Sequence, residues 1–156
     1  MKLKIYYSHT PFWRAEVLRV SLFIGGIPFD DIRITRDEFR EVIMKGKLRN
    51  TIEIPFHQLP VLEINGKIIG QTGGIARYCG KLSNLYPKDD FLAAKVDQII
   101  DTATDITNLV SPTVREKNEI IKKEMREKLA SKLLPRWFNY LENILQNEKN
   151  SNWFVD

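Results

Sequence analysis

The chain is poor in the residues that carry covalent and metal chemistry. One of its 156 residues, Cys79, is cysteine, which excludes an internal disulfide and makes a reducing cytoplasm the default expectation. Two histidines, His9 and His57, beside a single thiol are too few for a structural zinc site, so no metal is expected. No apolar run approaches the ~20 residues of a membrane-spanning helix, and no membrane partner is expected. The start, Met1 to Tyr7, alternates too closely for a secretory leader. A net charge of +4 would suit a nucleic-acid binder, but the basic residues from Arg115 to Lys132 are interleaved with Glu116, Glu119, Glu124 and Glu127. That is a solvated helix face and not a phosphate-tracking stripe, so no nucleic acid is expected.

What is present is a globular chain, 43% apolar, without repeats or low-complexity segments. Leu3, Ile5 and Tyr7 alternate as one face of a strand. Thr10-Pro11 should open a helix through Ala15, Leu18 and Leu22 that stops at Gly25-Gly26. Phe29 to Ile34 reads as a second strand. Residues 35–55 are charged and irregular, with at most a short helix from Asp37 to Met44. Val61, Ile64, Ile68 and Ile69 flank Asn65-Gly66, the strongest short signal for a tight hairpin, with Pro60 just ahead, where a cis bond is plausible. Thr72 then reads as the N-cap of a helix ending near Gly80. Gln71, Thr72 and bare backbone N–H groups thus gather where carboxylates bind. After a linker at Ser83–Pro87 the period is helical. Phe91 to Ile106 marks one helix and Ile121 to Leu145 another, which Pro135 should kink or restart.

The first half therefore reads βαβ-ββα with a proline before the third strand, the thioredoxin pattern, over residues 1–82; residues 83–156 read as a partial all-α domain that looks truncated. The motifs carry a resemblance to a known family. Tyr7, Arg14-Ala15-Glu16-Val17-Leu18-Arg19, Gln58-Leu59-Pro60-Val61-Leu62, Gln71-Thr72-Gly73-Gly74-Ile75-Ala76-Arg77-Tyr78, Val96 to Asp101 and Leu134 to Glu142 occur in one order. In that order they resemble a glutathione S-transferase, most similar to the tyrosine-type group of sigma, mu, alpha and pi classes.

The resemblance implies a glutathione transferase, acting by conjugation, isomerisation or peroxide reduction, or alternatively a non-catalytic binding module. Its partners would be glutathione and a small hydrophobic electrophile, and its state a homodimer. It implies that Tyr7 stabilises the glutathione thiolate. Leu59, beside cis Pro60, would pair with the cysteinyl backbone, and Gln58 would add a side-chain contact. Gln71 and Thr72 would hold the γ-glutamyl carboxylate. Phe39 falls at a position often occupied by tryptophan, Lys45 or Lys47 would meet the glycine carboxylate, and Asp105 would reach the neighbouring subunit's glutathione.

Three departures qualify that correspondence. Tyr7 to Arg14 is one residue longer than the tyrosine-type spacing, so Thr10 stands as a rival hydroxyl with Ser8 between. Gly73-Gly74 replaces small side chains, each costing up to ~1 kcal/mol of helix propensity while allowing close ligand approach. The chain stops at Asp156, before an expected core helix, which would leave apolar surface uncovered on Leu129, Leu133 or Trp137. Phe12 and Trp13 are candidates for a hydrophobic co-substrate pocket or for plain packing. Cys79 reads as an inert buried thiol, and Asp97, Asp101 and Asp105 as a solvated stripe.

Overall fold

A computed structural model describes residues 1–10, 13–147 and 153–155. It divides into two compact units, Met1–Pro87 and Lys88–Asp156.

In the first unit, β1 (Leu3–Ser8), α1 (Glu16–Ile24), β2 (Asp30–Ile34), α2 (Arg36–Lys45), the short strands β3 (Lys47–Leu48) and β4 (Ile52–Glu53), β5 (Val61–Ile64), β6 (Lys67–Gly70) and α3 (Thr72–Leu82) follow in order. The main sheet runs β2-β1-β5-β6. β1 is parallel to β2 and antiparallel to β5, and β5 is antiparallel to β6. This mixed sheet with flanking helices is the thioredoxin-like arrangement. Asn65 and Gly66 both have positive φ, 48° and 85°, the geometry a two-residue hairpin with right-handed twist requires. The core is Leu3, Ile5, Leu18, Leu22, Ile34, Leu62 and Ile75, each at most 2% exposed.

Several sequence expectations are corrected. α1 begins at Glu16 and not at Thr10-Pro11: Trp13 has φ 94°, which no right-handed helix can propagate through. Pro11 itself lies outside the described residues. The stretch after Ile34 is far more ordered than its charge suggests. Thr35 accepts from the Glu38 N–H while Glu38 accepts from the Thr35 N–H, a capping box that starts ten-residue α2. β3 and β4 pair directly behind it. α3 runs past Gly80 to Leu82.

The second unit is helical: α4 (Asp90–Arg115), α5 (Glu119–Lys128) and α6 (Leu134–Asn147). α4 continues well beyond Ile106 and through Pro112. Ser111 and Thr113 return hydroxyl hydrogen bonds to the carbonyls of Thr107 and Val110 there. Pro135 is the second residue of α6, so the helix does restart there, and a five-residue π turn, Leu129–Leu133, joins α5 to α6 without a break in the helical chain. The wider turn absorbs the missing proline N–H one turn downstream. The expected apolar exposure also falls elsewhere. Leu129 is buried and Leu133 and Trp137 are half-buried, whereas Phe138 and Tyr140 are exposed. Asn152 and Asp156 lie outside the described residues.

Candidate active site

Strand register decides which residues meet. Tyr6 pairs with Val61, and Val61 with Gly70. One step further along, Tyr7, Pro60 and Gln71 therefore form a row across one end of the sheet, and Arg33 extends it because Tyr7 pairs with Arg33 in β2. Pairing alone thus brings Tyr7 into line with Pro60 and Gln71, which follow it by 53 and 64 residues in the sequence.

Tyr7 is 8% exposed, and the Arg19 guanidinium carbon lies 5.8 Å from its ring centroid. Burial, the larger influence, pushes the phenol above its ordinary pKa. A hydrogen bond from the Arg14 backbone and the charges of Arg14 and Arg19 pull the other way. The hydroxyl therefore keeps its proton at neutral pH and can donate it. The two rival hydroxyls are bonded to each other, Ser8 Oγ to Thr10 Oγ1 at 2.8 Å. The neighbouring Tyr6 is occupied on its own side, donating to Glu63 Oε2 at 2.6 Å while Lys4 holds Oε1 at 2.8 Å.

The Leu59–Pro60 peptide bond is cis, and Leu59 is buried. Gln58 is exposed beside it. The helix start differs from expectation. Thr72 is the first helical residue, and Gln71 occupies the cap position at φ 71°, ψ 114° with no side-chain capping bond. The half-buried Thr72 and the first-turn N–H groups remain at the sheet end. A Cβ at Gly74 would meet open space, so protein packing does not demand glycine there.

Phe39 is half-buried and packs against the core. Lys45 pairs with Glu41 at 3.3 Å and Lys47 with Glu53 at 3.0 Å, both on the surface. Trp13 also packs against the core cluster, while Phe12 lies outside the described residues. Asp105 is exposed on α4 in the second unit, as is Asp101, with Asp97 half-buried. Cys79 is fully buried, and burial pushes its thiol to about 11.

Sequence reasoning missed two groups. One is the set Arg19, Asp31 and Arg33, joined by ion pairs at 3.2 and 2.7 Å; the Glu16–Arg19 spacing was its visible trace. The other is His57, whose Nδ1 donates to the Ile43 carbonyl at 3.1 Å, at the end of α2. A carbonyl only accepts, so Nδ1 carries the proton.

Known proteins share this arrangement. A family model described as "Glutathione S-transferase, N-terminal domain" matches residues 3–81, half of the chain. A glutathione S-transferase of Anopheles gambiae is 31% identical over 147 residues, covering 94% of this chain and 68% of that protein. The hematopoietic prostaglandin D synthase of Gallus gallus is 31% identical over 142 residues, covering 91% and 65%. Among solved structures, prostaglandin synthase D of Nilaparvata lugens superposes with a TM-score of 0.85 at 29% identity, over 99% of this chain and 72% of that one. The chain thus spans about two thirds of the length of the curated relatives it matches. With that family model over half its length and those relatives over nearly all of it, the chain belongs to the glutathione S-transferase family.

Proposed function

We infer that this protein is a glutathione transferase that ionises the glutathione thiol for attack on small electrophiles. The observation that carries the reading is the sheet-end row. It sets buried Tyr7, whose hydroxyl keeps its proton, in line with cis Pro60 and the open start of α3.

Each part has a matching ligand group. The Leu59 backbone receives the cysteinyl backbone as an added strand. Gln71, Thr72 and the α3 N–H groups receive the γ-glutamyl carboxylate, with Gln58 at its side. Lys45, or Lys47, receives the glycine carboxylate, with Phe39 alongside. Exposed pairs such as Lys45–Glu41 are worth only ~0.3–0.5 kcal/mol, so an incoming carboxylate can displace them. Tyr7 then donates to the sulfur. A free thiol has a pKa near ~8.5, and lowering it by roughly two pH units needs about 2.7 kcal/mol. One charge-assisted hydrogen bond and the helix field together are of that size. Tyr7 is preferred to Thr10 and Ser8 because it stands on the buried strand face of Leu3 and Ile5, while one of the two rival hydroxyls spends its proton on the other.

The same thiolate serves conjugation and isomerisation, and the relatives named as prostaglandin D synthases favour isomerisation as the second activity. The reading extends to detoxification of electrophiles in a reducing cytoplasm and to a homodimer, in which Asp105 reaches the neighbouring glutathione. Residues 1–82 form the glutathione half and residues 83–156 a helical domain; Trp13 faces the electrophile. The test is turnover of an aryl halide with glutathione. Tyr7→Phe should keep glutathione binding while kcat/KM falls about ten- to hundredfold, the loss of one to two pH units of thiol acidity. Intact turnover in Tyr7→Phe with its loss in Thr10→Ala would transfer the role to Thr10, and failure to bind immobilised glutathione would overturn the reading.

A further inference from the structure

The backbone at Thr10 and the ring of Tyr7 are tied to a chain of ion pairs to which the proposed chemistry assigns no role. In parallel register Asp31 lies beside Ile5 and Arg33 beside Tyr7, so Asp31, Arg33 and Tyr7 project from one face of the sheet. Asp31 uses both carboxylate oxygens. Oδ1 accepts from Arg19 Nε at 3.2 Å and Oδ2 from Arg33 Nε at 2.7 Å. Arg19, 8% exposed, reaches in from α1 to the Tyr7 ring and also binds Glu16 at 3.1 Å. Arg33 Nη1 donates to the Thr10 carbonyl at 2.8 Å. One carboxylate therefore fixes both the cation against the Tyr7 ring and the cation bonded to the Thr10 carbonyl. The Tyr7 hydroxyl itself is bonded by the Arg14 backbone.

Two features weigh for a geometric role over an electrostatic one. Glu16 and Asp31 offset Arg19 and Arg33, so the cluster adds little net field at a sulfur. Arg19 also leaves Nη2 buried without a partner among the described residues. An unpaired buried donor is costly, and a side chain in that position stays where its other bonds hold it.

We propose that Asp31 is a positioning residue: through Arg19 and Arg33 it sets the Tyr7 ring and the backbone at Thr10 so that the hydroxyl points at the glutathione sulfur. The inference rests on the Tyr7 reading above. Charge and geometry predict opposite signs for Asp31→Asn. Removing a negative charge leaves Glu16 against Arg19 and Arg33, with Arg14 nearby; electrostatics alone would then make the bound thiol more acidic. Loss of positioning makes it less acidic.

The experiment titrates the bound glutathione thiolate by ultraviolet absorbance in the full-length protein, with S-methylglutathione affinity and thermal unfolding measured alongside. In Asp31→Asn the thiol should ionise about one pH unit higher, roughly a tenfold loss of thiolate at fixed pH. S-Methylglutathione, which has no thiol, should bind within about twofold of wild type, because ~0.4 kcal/mol is all that such a ratio represents. Asp31→Glu should recover part of the acidity, and Arg33→Met, which removes the Thr10 anchor together with one of the two partners of Asp31, should move it in the same direction as Asp31→Asn. Ionisation in Asp31→Asn at the wild-type pH or lower would overturn the proposal. If that variant does not fold, Arg33→Met decides: an unchanged thiol there overturns it. A wild-type complex whose thiol keeps its ordinary pKa would overturn the Tyr7 reading and this inference with it. A normally ionising wild type beside an equally acidic variant overturns this inference alone.

Discussion

Gly46→Ala is the perturbation the structure specifies most closely. Gly46 caps α2 at φ 67°, and its N–H donates to the Val42 carbonyl at 2.8 Å. An alanine there adopts left-handed backbone at a cost of about 1–2 kcal/mol. Its Cβ would also fall against the His57 imidazole, 2.6 Å from Cδ2 and touching Nε2. The ring must leave, which breaks its bond to the Ile43 carbonyl, worth about 0.5–1.5 kcal/mol. The expected destabilisation is therefore about 1.5–3.5 kcal/mol, the sum of the two effects. His57→Ala alone should lose only the hydrogen bond. In the double variant that bond cannot be lost twice, so its cost should fall short of the sum of the singles by about 0.5–1.5 kcal/mol. Equilibrium urea unfolding of the four proteins, with m-values compared to exclude a change in the unfolded chain, gives the cycle. Additivity within ~0.3 kcal/mol, the usual result for independent sites, would refute the claim that His57 and Gly46 form one joint.

Two further outcomes follow from charge and burial. Cys79, with its thiol pushed to about 11 by burial, should react with a thiol reagent at neutral pH only as fast as the protein opens, so modification and unfolding rates should track each other across urea concentrations; fast labelling of native protein would contradict the burial. Glu63 is held below the usual carboxylate range, first by the hydrogen bond from Lys4 and then by that from Tyr6. It therefore adds stability that is present above the unfolded carboxylate value of ~4.3 and is lost as pH falls through the lower folded one. Glu63→Gln should flatten acid unfolding in that window, and an unchanged acid limb would show that the Lys4–Glu63–Tyr6 set contributes nothing.

Local chemistry made much of the fold legible. Asn65-Gly66 could close only a tight hairpin, the alternation of Leu3, Ile5 and Tyr7 marked a strand, and the glutathione motifs were visible as contiguous residues. α2 was legible only as a short helix from Asp37 to Met44, because the signal that fixes its start was the Thr35–Glu38 capping box and not apolar periodicity. The start of α1 was not legible, since no residue preference announces a φ of 94° at Trp13. Placing the cap at Thr72 failed for a related reason: its residue type favours that position, but the entry from β6 puts Gln71 there instead.

Composition, motif order and turn chemistry thus determined the family, the element types and the candidate residues, because each is a property of neighbours along the chain. Only the tertiary structure decided that Tyr7, Pro60 and Gln71 form one row, that Ser8 and Thr10 bond each other, and that Asp31 ties Arg19 to Arg33. Those facts depend on strand register and helix docking, which are set by burial summed over the whole core; a shift of one residue would turn each strand side chain to the opposite face.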